Sequence, residues 1–159
     1  MRDFSRRAVL ALPPAVGVAA GSRARTPAQA SLTQVQSDES FTEAERAILA
    51  GRTPIAGGVV LDLPPLSENG NSVDLTVTAE SPMTREDHVT AIHILSERNP
   101  FPRVATFHLT PRSGRAEVAT RIRLATSQTL VVLAETSRGT IHRTSKDVIV
   151  ILGACVETG

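Results

Sequence analysis

The sequence predicts an all-β domain, an immunoglobulin-like antiparallel β-sandwich with a short N-terminal helix. Three observations carry the prediction. Short apolar runs recur along the chain, their residues alternate with the two-residue period of a strand, and Pro, Gly, Asn or Ser punctuates the intervals between them. The chain has one cysteine and no tryptophan. The inter-sheet disulfide and core Trp of antibody domains are therefore absent, and only the architecture is implied.

Residues 1–30 read as an export signal. Arg6 and Arg7 stand ahead of an apolar stretch over residues 8–20, a pattern that resembles a twin-arginine signal. Pro13-Pro14 and Gly17 interrupt the stretch, which is shorter than the roughly 20 apolar residues a spanning helix needs. It is expected to be removable and not a membrane anchor. Ala28-Gln29-Ala30 supplies a small-x-small processing site, which puts the mature start near Ser31. A basic, disordered tail is the bland alternative.

Residues 31–52 form a linker and the short helix. The helix is expected over Phe41-Thr42-Glu43-Ala44-Glu45-Arg46-Ala47-Ile48-Leu49-Ala50-Gly51, which has acids early, apolar residues at helical spacing and a glycine to stop it. Residues 53–152 form the sandwich. Val59-Val60-Leu61-Asp62-Leu63 ends at Pro64-Pro65, and Val73-Asp74-Leu75-Thr76-Val77-Thr78-Ala79 ends at Ser81-Pro82. Further strands are expected over 89–95, 104–109, 115–124, 129–134 and 148–152, with Ile141-His142-Arg143 beginning the last strand or forming its own. Turn signals lie at Asn99-Pro100, Pro111, Ser113-Gly114, Ser127 and Arg138-Gly139. Gly57-Gly58 and Glu68-Asn69-Gly70-Asn71 lack the marks of a phosphate loop and are explained by turn geometry.

Composition excludes several function classes. The chain has 17 Lys plus Arg against 16 Asp plus Glu, and much of the basic excess lies in the signal. The mature domain of about 130 residues is thus slightly acidic, a poor match for nucleic acid. Four Phe and no Trp or Tyr leave almost nothing on which bases or sugars could stack. His88, His93, His108 and His142 show no tight ligand spacing, so no metal or other cofactor is expected. Asp62, Asp74, Glu117 and Glu135 are scattered at alternating positions and read as the solvent faces of strands. They do not make an acid/base pair, so no catalytic residue is assigned and the chain is not expected to be an enzyme. Arg112, Arg115, Arg121 and Arg123 gather near one hairpin, with Arg121 and Arg123 on one face. They are either solvated strand charges or a docking surface for a partner.

Cys155, in Gly153-Ala154-Cys155-Val156-Glu157-Thr158-Gly159, follows the last strand on a C-terminal arm over 153–159. An unpaired thiol in an exported protein has three readings. It carries sulfur chemistry, it is a small buried apolar residue, or it forms an intermolecular disulfide.

Several pieces of the sequence then closely resemble one family. In order these are the twin-arginine signal, the short amphipathic helix, Gly58-Val59-Val60-Leu61-Asp62-Leu63-Pro64, Glu68-Asn69-Gly70-Asn71-Ser72-Val73, Ser81-Pro82-Met83-Thr84, Asn99-Pro100, Ala105-Thr106-Phe107-His108 and Thr120-Arg121-Ile122-Arg123-Leu124-Ala125. Together they resemble SoxY, the sulfur-carrier subunit of the periplasmic Sox thiosulfate-oxidation system, across nearly the whole mature chain. The resemblance implies a heterodimer with a SoxZ-like subunit, export of the folded pair by the twin-arginine pathway to the periplasm, and a non-catalytic carrier role. It also implies partner enzymes. A SoxAX-like haem enzyme joins thiosulfate to the thiol, a SoxB-like hydrolase releases sulfate, and a sulfur dehydrogenase, where present, oxidises the remaining sulfur.

The family's carrier cysteine stands in Gly-Gly-Cys-Gly-Gly. By position Cys155 is its equivalent and Gly153 matches the first glycine. Ala154 replaces the second glycine, Val156 and Glu157 replace the last two, and Thr158-Gly159 are additional. Glycines leave an arm slim and free to turn. Val156 is stiff at its branched β-carbon, and the Glu157 carboxylate repels an anionic sulfur substrate and disfavours the reactive thiolate.

Overall fold

A computed structural model describes residues 38–154. The expected signal with Arg6 and Arg7, the first part of the linker, and Cys155, Val156 and Glu157 of the arm lie outside the described residues. The single α-helix among them, α1, spans Phe41–Leu49. Ser40 starts it with a capping box: its hydroxyl accepts from the Glu43 amide at 3.3 Å while its own amide donates to the Glu43 carboxylate at 2.8 Å. The helix ends at Leu49, two residues before the glycine expected to stop it. Ala50 takes the left-handed cap position at φ 48°, and Gly51 follows at φ 81°.

Among the described residues nine strands build two packed sheets. They are β1 (Ile55–Ala56), β2 (Val59–Asp62), β3 (Leu66–Asn69), β4 (Val73–Ala79), β5 (Val89–Ser96), β6 (Arg103–His108), β7 (Glu117–Ile122), β8 (Gln128–Thr136) and β9 (Ile141–Leu152). The larger sheet runs β1-β9-β8-β5-β6 with β3 also on β9, and the smaller runs β2-β4-β7. The expected fold class is thus the observed one. Ile141-His142-Arg143 begins the last strand, which is one continuous β9 of 12 residues. Pro111–Ser113 forms a 3-10 turn and not a simple loop.

Two features depart from the sequence-based expectation. β1 and β3 pair in parallel with β9, along the edge opposite β8, whereas every expected pairing was antiparallel. Both are short and exposed, so neither carries the apolar alternation that reveals a strand. Glu68 and Asn69, expected in a turn, are the end of β3, and the turn begins at Gly70.

The core explains the strand patterns. β4 alternates strictly, with Val73, Leu75, Val77 and Ala79 buried. They meet Ile92, Ile94, Leu130, Val132, Val148 and Val150 of the larger sheet between the layers. β8 is instead buried continuously from Leu130 to Ala134. Its other face, Val131 and Leu133, lies under Ala44 and Ile48 of α1 together with Leu95 and Ile141. One short amphipathic helix therefore makes the centre of this sheet a two-sided interior, where each fully buried Leu contributes about 1.5–3 kcal/mol. Two ion pairs flank the helix, Arg143 to Glu45 at 2.8 Å and Arg103 to Glu39 at 2.7 Å. The Arg103 hydrogen bond holds the Glu39 carboxyl below its ordinary range.

Gly57-Gly58 carries the chain from one sheet to the other, both residues at positive φ (88° and 73°). A β-carbon on Gly58 would stand 2.6 Å from His142 Nδ1. The sheet switch thus requires glycine for both angle and space.

Candidate functional site

β9 delivers the chain to Cys155. Val148 and Val150 point into the core, while Ile149 and Ile151 point outward, 57% and 61% exposed. Leu152 is 67% exposed, and Leu66, the register partner of Ile149 on β3, is 49% exposed. Leu66, Ile149 and Ile151 therefore share one exposed apolar face of the larger sheet, and Leu152 lies on the opposite face just before the arm. Of the arm residues, Gly153 and Ala154 are described, and both are half-buried.

Backbone hydrogen bonds tie this end down. The Gly70 amide donates to Leu152 O at 2.7 Å, the Leu124 amide to Gly70 O at 2.8 Å, and the Ala154 amide to Leu124 O at 2.9 Å. The Val150 amide donates to the Ser127 hydroxyl at 2.9 Å. Leu124 is fully buried, and a side-chain knot holds the backbone on both sides of it. Asn99 donates to Arg123 O at 2.8 Å and accepts from the Ala125 amide at 2.9 Å. Gln128 donates to Asn99 Oδ1 at 3.0 Å and to Thr126 O at 3.1 Å. It accepts from the Arg98 amide at 2.9 Å and from the buried Ser96 hydroxyl. The sequence marked Asn99 and Gly70 as turn residues within motifs that resemble SoxY, with no partner assigned to either. Their wider partners are more than 20 positions away, beyond any local pattern.

The remaining candidates disperse. Arg121 and Arg123 are both exposed, and Arg121 pairs with Asp74 across the β4–β7 register at 2.6 Å. Both side chains of that pair are about three-quarters in solvent, so the pair adds little stability. Asp62, Asp74 and Glu117 face solvent as expected. Glu135 does not. It is half-buried and receives Arg52 at 2.6 Å, while Arg52 also donates to the Ile48 and Leu49 carbonyls at 2.9 and 3.0 Å. The guanidinium thereby satisfies the C-terminal end of α1, a tertiary role no strand pattern could reveal. Among the described residues no group of three or more His, Cys, Asp or Glu is placed to hold a metal ion. Nor does any described helix have the length and apolarity to cross a membrane.

His93 sits beside this cluster. Nδ1 lies 3.1 Å from the Thr106 hydroxyl, and Nε2 is buried without a hydrogen bond, 3.9 Å from Glu135. Burial pushes its pKa below the ordinary value of 6.5, and the Glu135 carboxylate pulls the other way; the positive charges of Arg103 and Arg52 and the nearby His108 lower it further. The unfolded chain thus takes up this proton before the folded one does. Stability from this group is intact above pH 6.5 and is lost as pH falls from there through the depressed folded value. Urea midpoints at pH 7 and pH 5 should therefore converge in His93→Gln relative to wild type. An unchanged difference would show that His93 is not the group responsible.

The family profile described as "Sulfur oxidation protein SoxY" matches residues 45–155. The sulfur carrier protein SoxY from Chlorobium limicola f thiosulfatophilum is 31% identical with a TM-score of 0.56, over 70% of this chain and 98% of that one. A superoxide reductase (neelaredoxin) from Ignicoccus hospitalis aligns at 14% identity and TM-score 0.52, over 69% of this chain and 91% of that one. A putative superoxide reductase from Thermotoga maritima aligns at 19% and 0.51, over 62% and 88%. These two share the fold alone. No curated protein sequence matches. The family match spans well over half of the chain, and the chain belongs to the SoxY family of sulfur oxidation proteins.

Proposed function

We propose that this protein is a periplasmic carrier that holds thiosulfate-derived sulfur covalently on Cys155. It presents that sulfur to Sox enzymes as half of a SoxYZ-type heterodimer. The observation that carries this reading is the extent of the family match, which runs from residue 45 to residue 155 and ends on the chain's one cysteine. The exposed face of Ile149, Ile151 and the β3 neighbour Leu66 supports a partner subunit, since adjacent exposed apolar side chains mark an interaction site.

The chemistry asks little of the carrier beyond a thiolate in reach. A sulfur–sulfur bond forms between Cys155 Sγ and the sulfane sulfur of thiosulfate, and the two electrons released pass to a SoxAX-like haem enzyme. Water then cleaves the bond between sulfane sulfur and sulfonate in a SoxB-like hydrolase, releasing sulfate and leaving a persulfide on Cys155. A sulfur dehydrogenase, where present, oxidises that persulfide. Twin-arginine export at Arg6-Arg7 would carry the folded pair across together.

Val156 and Glu157 favour a second reading, an interaction module that keeps the sandwich and its SoxZ-like partner but loads sulfur poorly. The intact mass of the mature protein from thiosulfate-exposed cells decides between them. Wild type should carry a reducible sulfur or thiosulfonate adduct that Cys155→Ser lacks, and a persistently bare thiol would sink the carrier reading. Replacing residues 156–159 by two glycines should change loading by less than the loss of Cys155 does. A large gain instead would identify a compromised carrier.

A further inference from the structure

We propose that Gly70 and the Leu124 carbonyl form a clamp on the root of the arm, fixing the chain at Ala154 and setting how far the residue after it can reach. This rests on the carrier reading only for its use; the clamp itself rests on described backbone.

The clamp is a short ladder. Gly70 is bonded through its amide to Leu152 and through its carbonyl to Leu124, and Leu124 in turn holds Ala154. The chain is therefore not released at the end of β9 but two residues later. From Leu152 to Cys155 an unbound arm would extend about 10 Å, whereas from Ala154 it extends one Cα step of about 3.8 Å. With the clamp closed, an enzyme must accept the end of the sandwich as well as the thiol. With it open, the arm gains two residues of reach.

Gly70 is needed for space and not for backbone angle, because its φ is not in the left-handed region that the other turn glycines occupy. A β-carbon there would stand 2.3 Å from Leu124 O, 3.0 Å from the Ala154 nitrogen and 3.0 Å from Val150 Cγ1. Leu124 cannot yield readily, since Asn99 grips the backbone on both of its flanks. The arm root is the side free to move. A single bond, from the Ala154 amide to Leu124 O, separates the clamped root from the released one.

The test removes that bond without entering the core. Ala154→Pro deletes the amide donor, Ala154→Ser retains it, and Gly70→Ala pushes on the clamp from the opposite side. Each is purified with the partner subunit if one co-purifies, labelled at Cys155 with a nitroxide, and separately reacted with a small maleimide and with one fixed to a bead by a short linker.

The expected result is greater nitroxide mobility in Ala154→Pro, with several-fold faster capture by the bead-bound reagent relative to the small one. The urea midpoint should be unchanged, and Ala154→Ser should behave as wild type. Ala154→Pro with wild-type mobility and capture ratio would overturn the clamp. Because no readout involves sulfur loading, a bare thiol in thiosulfate-exposed cells would sink the carrier reading and leave the clamp standing. If Gly70→Ala does not fold, the Ala154 pair still decides.

Discussion

Gln128→Leu is expected to be among the most damaging substitutions in the domain. Leucine keeps the bulk but removes the acceptor used by the Arg98 amide and the Ser96 hydroxyl, and the donor used by Asn99 and Thr126. Stranding a buried donor costs roughly 1–3 kcal/mol, and the hydroxyl of Ser96, a residue 0% exposed, is such a donor. A drop in urea midpoint with unchanged slope would report the loss as stability alone. The same variant should loosen the backbone around Leu124, so amide exchange at Ala125, whose proton goes to Asn99 Oδ1, should accelerate beyond the global change. Retained protection there would mean that Asn99 holds the segment without Gln128.

Leu133→Ala is the second. Leu133 is 0% exposed and lies with Val131, Leu95 and Ile141 beneath α1. Truncating a buried leucine costs about 2–5 kcal/mol through lost transfer free energy and the cavity left behind. Here the cavity would open under a helix of nine residues, too short to persist without its packing. Exchange of the α1 amides should therefore rise more than that of β4, which faces the other side of the core. Equal changes in both would show that helix and sandwich unfold as one unit.

The strands of the smaller sheet and the inner face of the larger were legible because burial writes a period of two into the sequence. Val73, Leu75 and Val77 alternate with Asp74, Thr76 and Thr78, and only a half-buried strand requires that. The helix was legible from Ser40, Glu43 and the spacing of Ala44 and Ile48, all local signals. β1 and β3 were not, because their contribution is backbone pairing to β9 and their side chains face water. Glu135 was misread as a solvent-facing charge for a related reason: its partner, Arg52, is 83 positions away.

The sequence by itself determined the sandwich class, because apolar alternation and turn residues are properties of short stretches of chain, while the resemblance of its motifs to SoxY supplied the family and the expectation that Cys155 carries sulfur. Only the tertiary structure decided where the arm is rooted. The carbonyl that holds Ala154 belongs to Leu124, the glycine that makes room is Gly70, and the side chain that steadies them is Asn99. A backbone hydrogen bond depends on where two carbonyls and amides meet and hardly at all on which side chains they carry, so no motif could announce it.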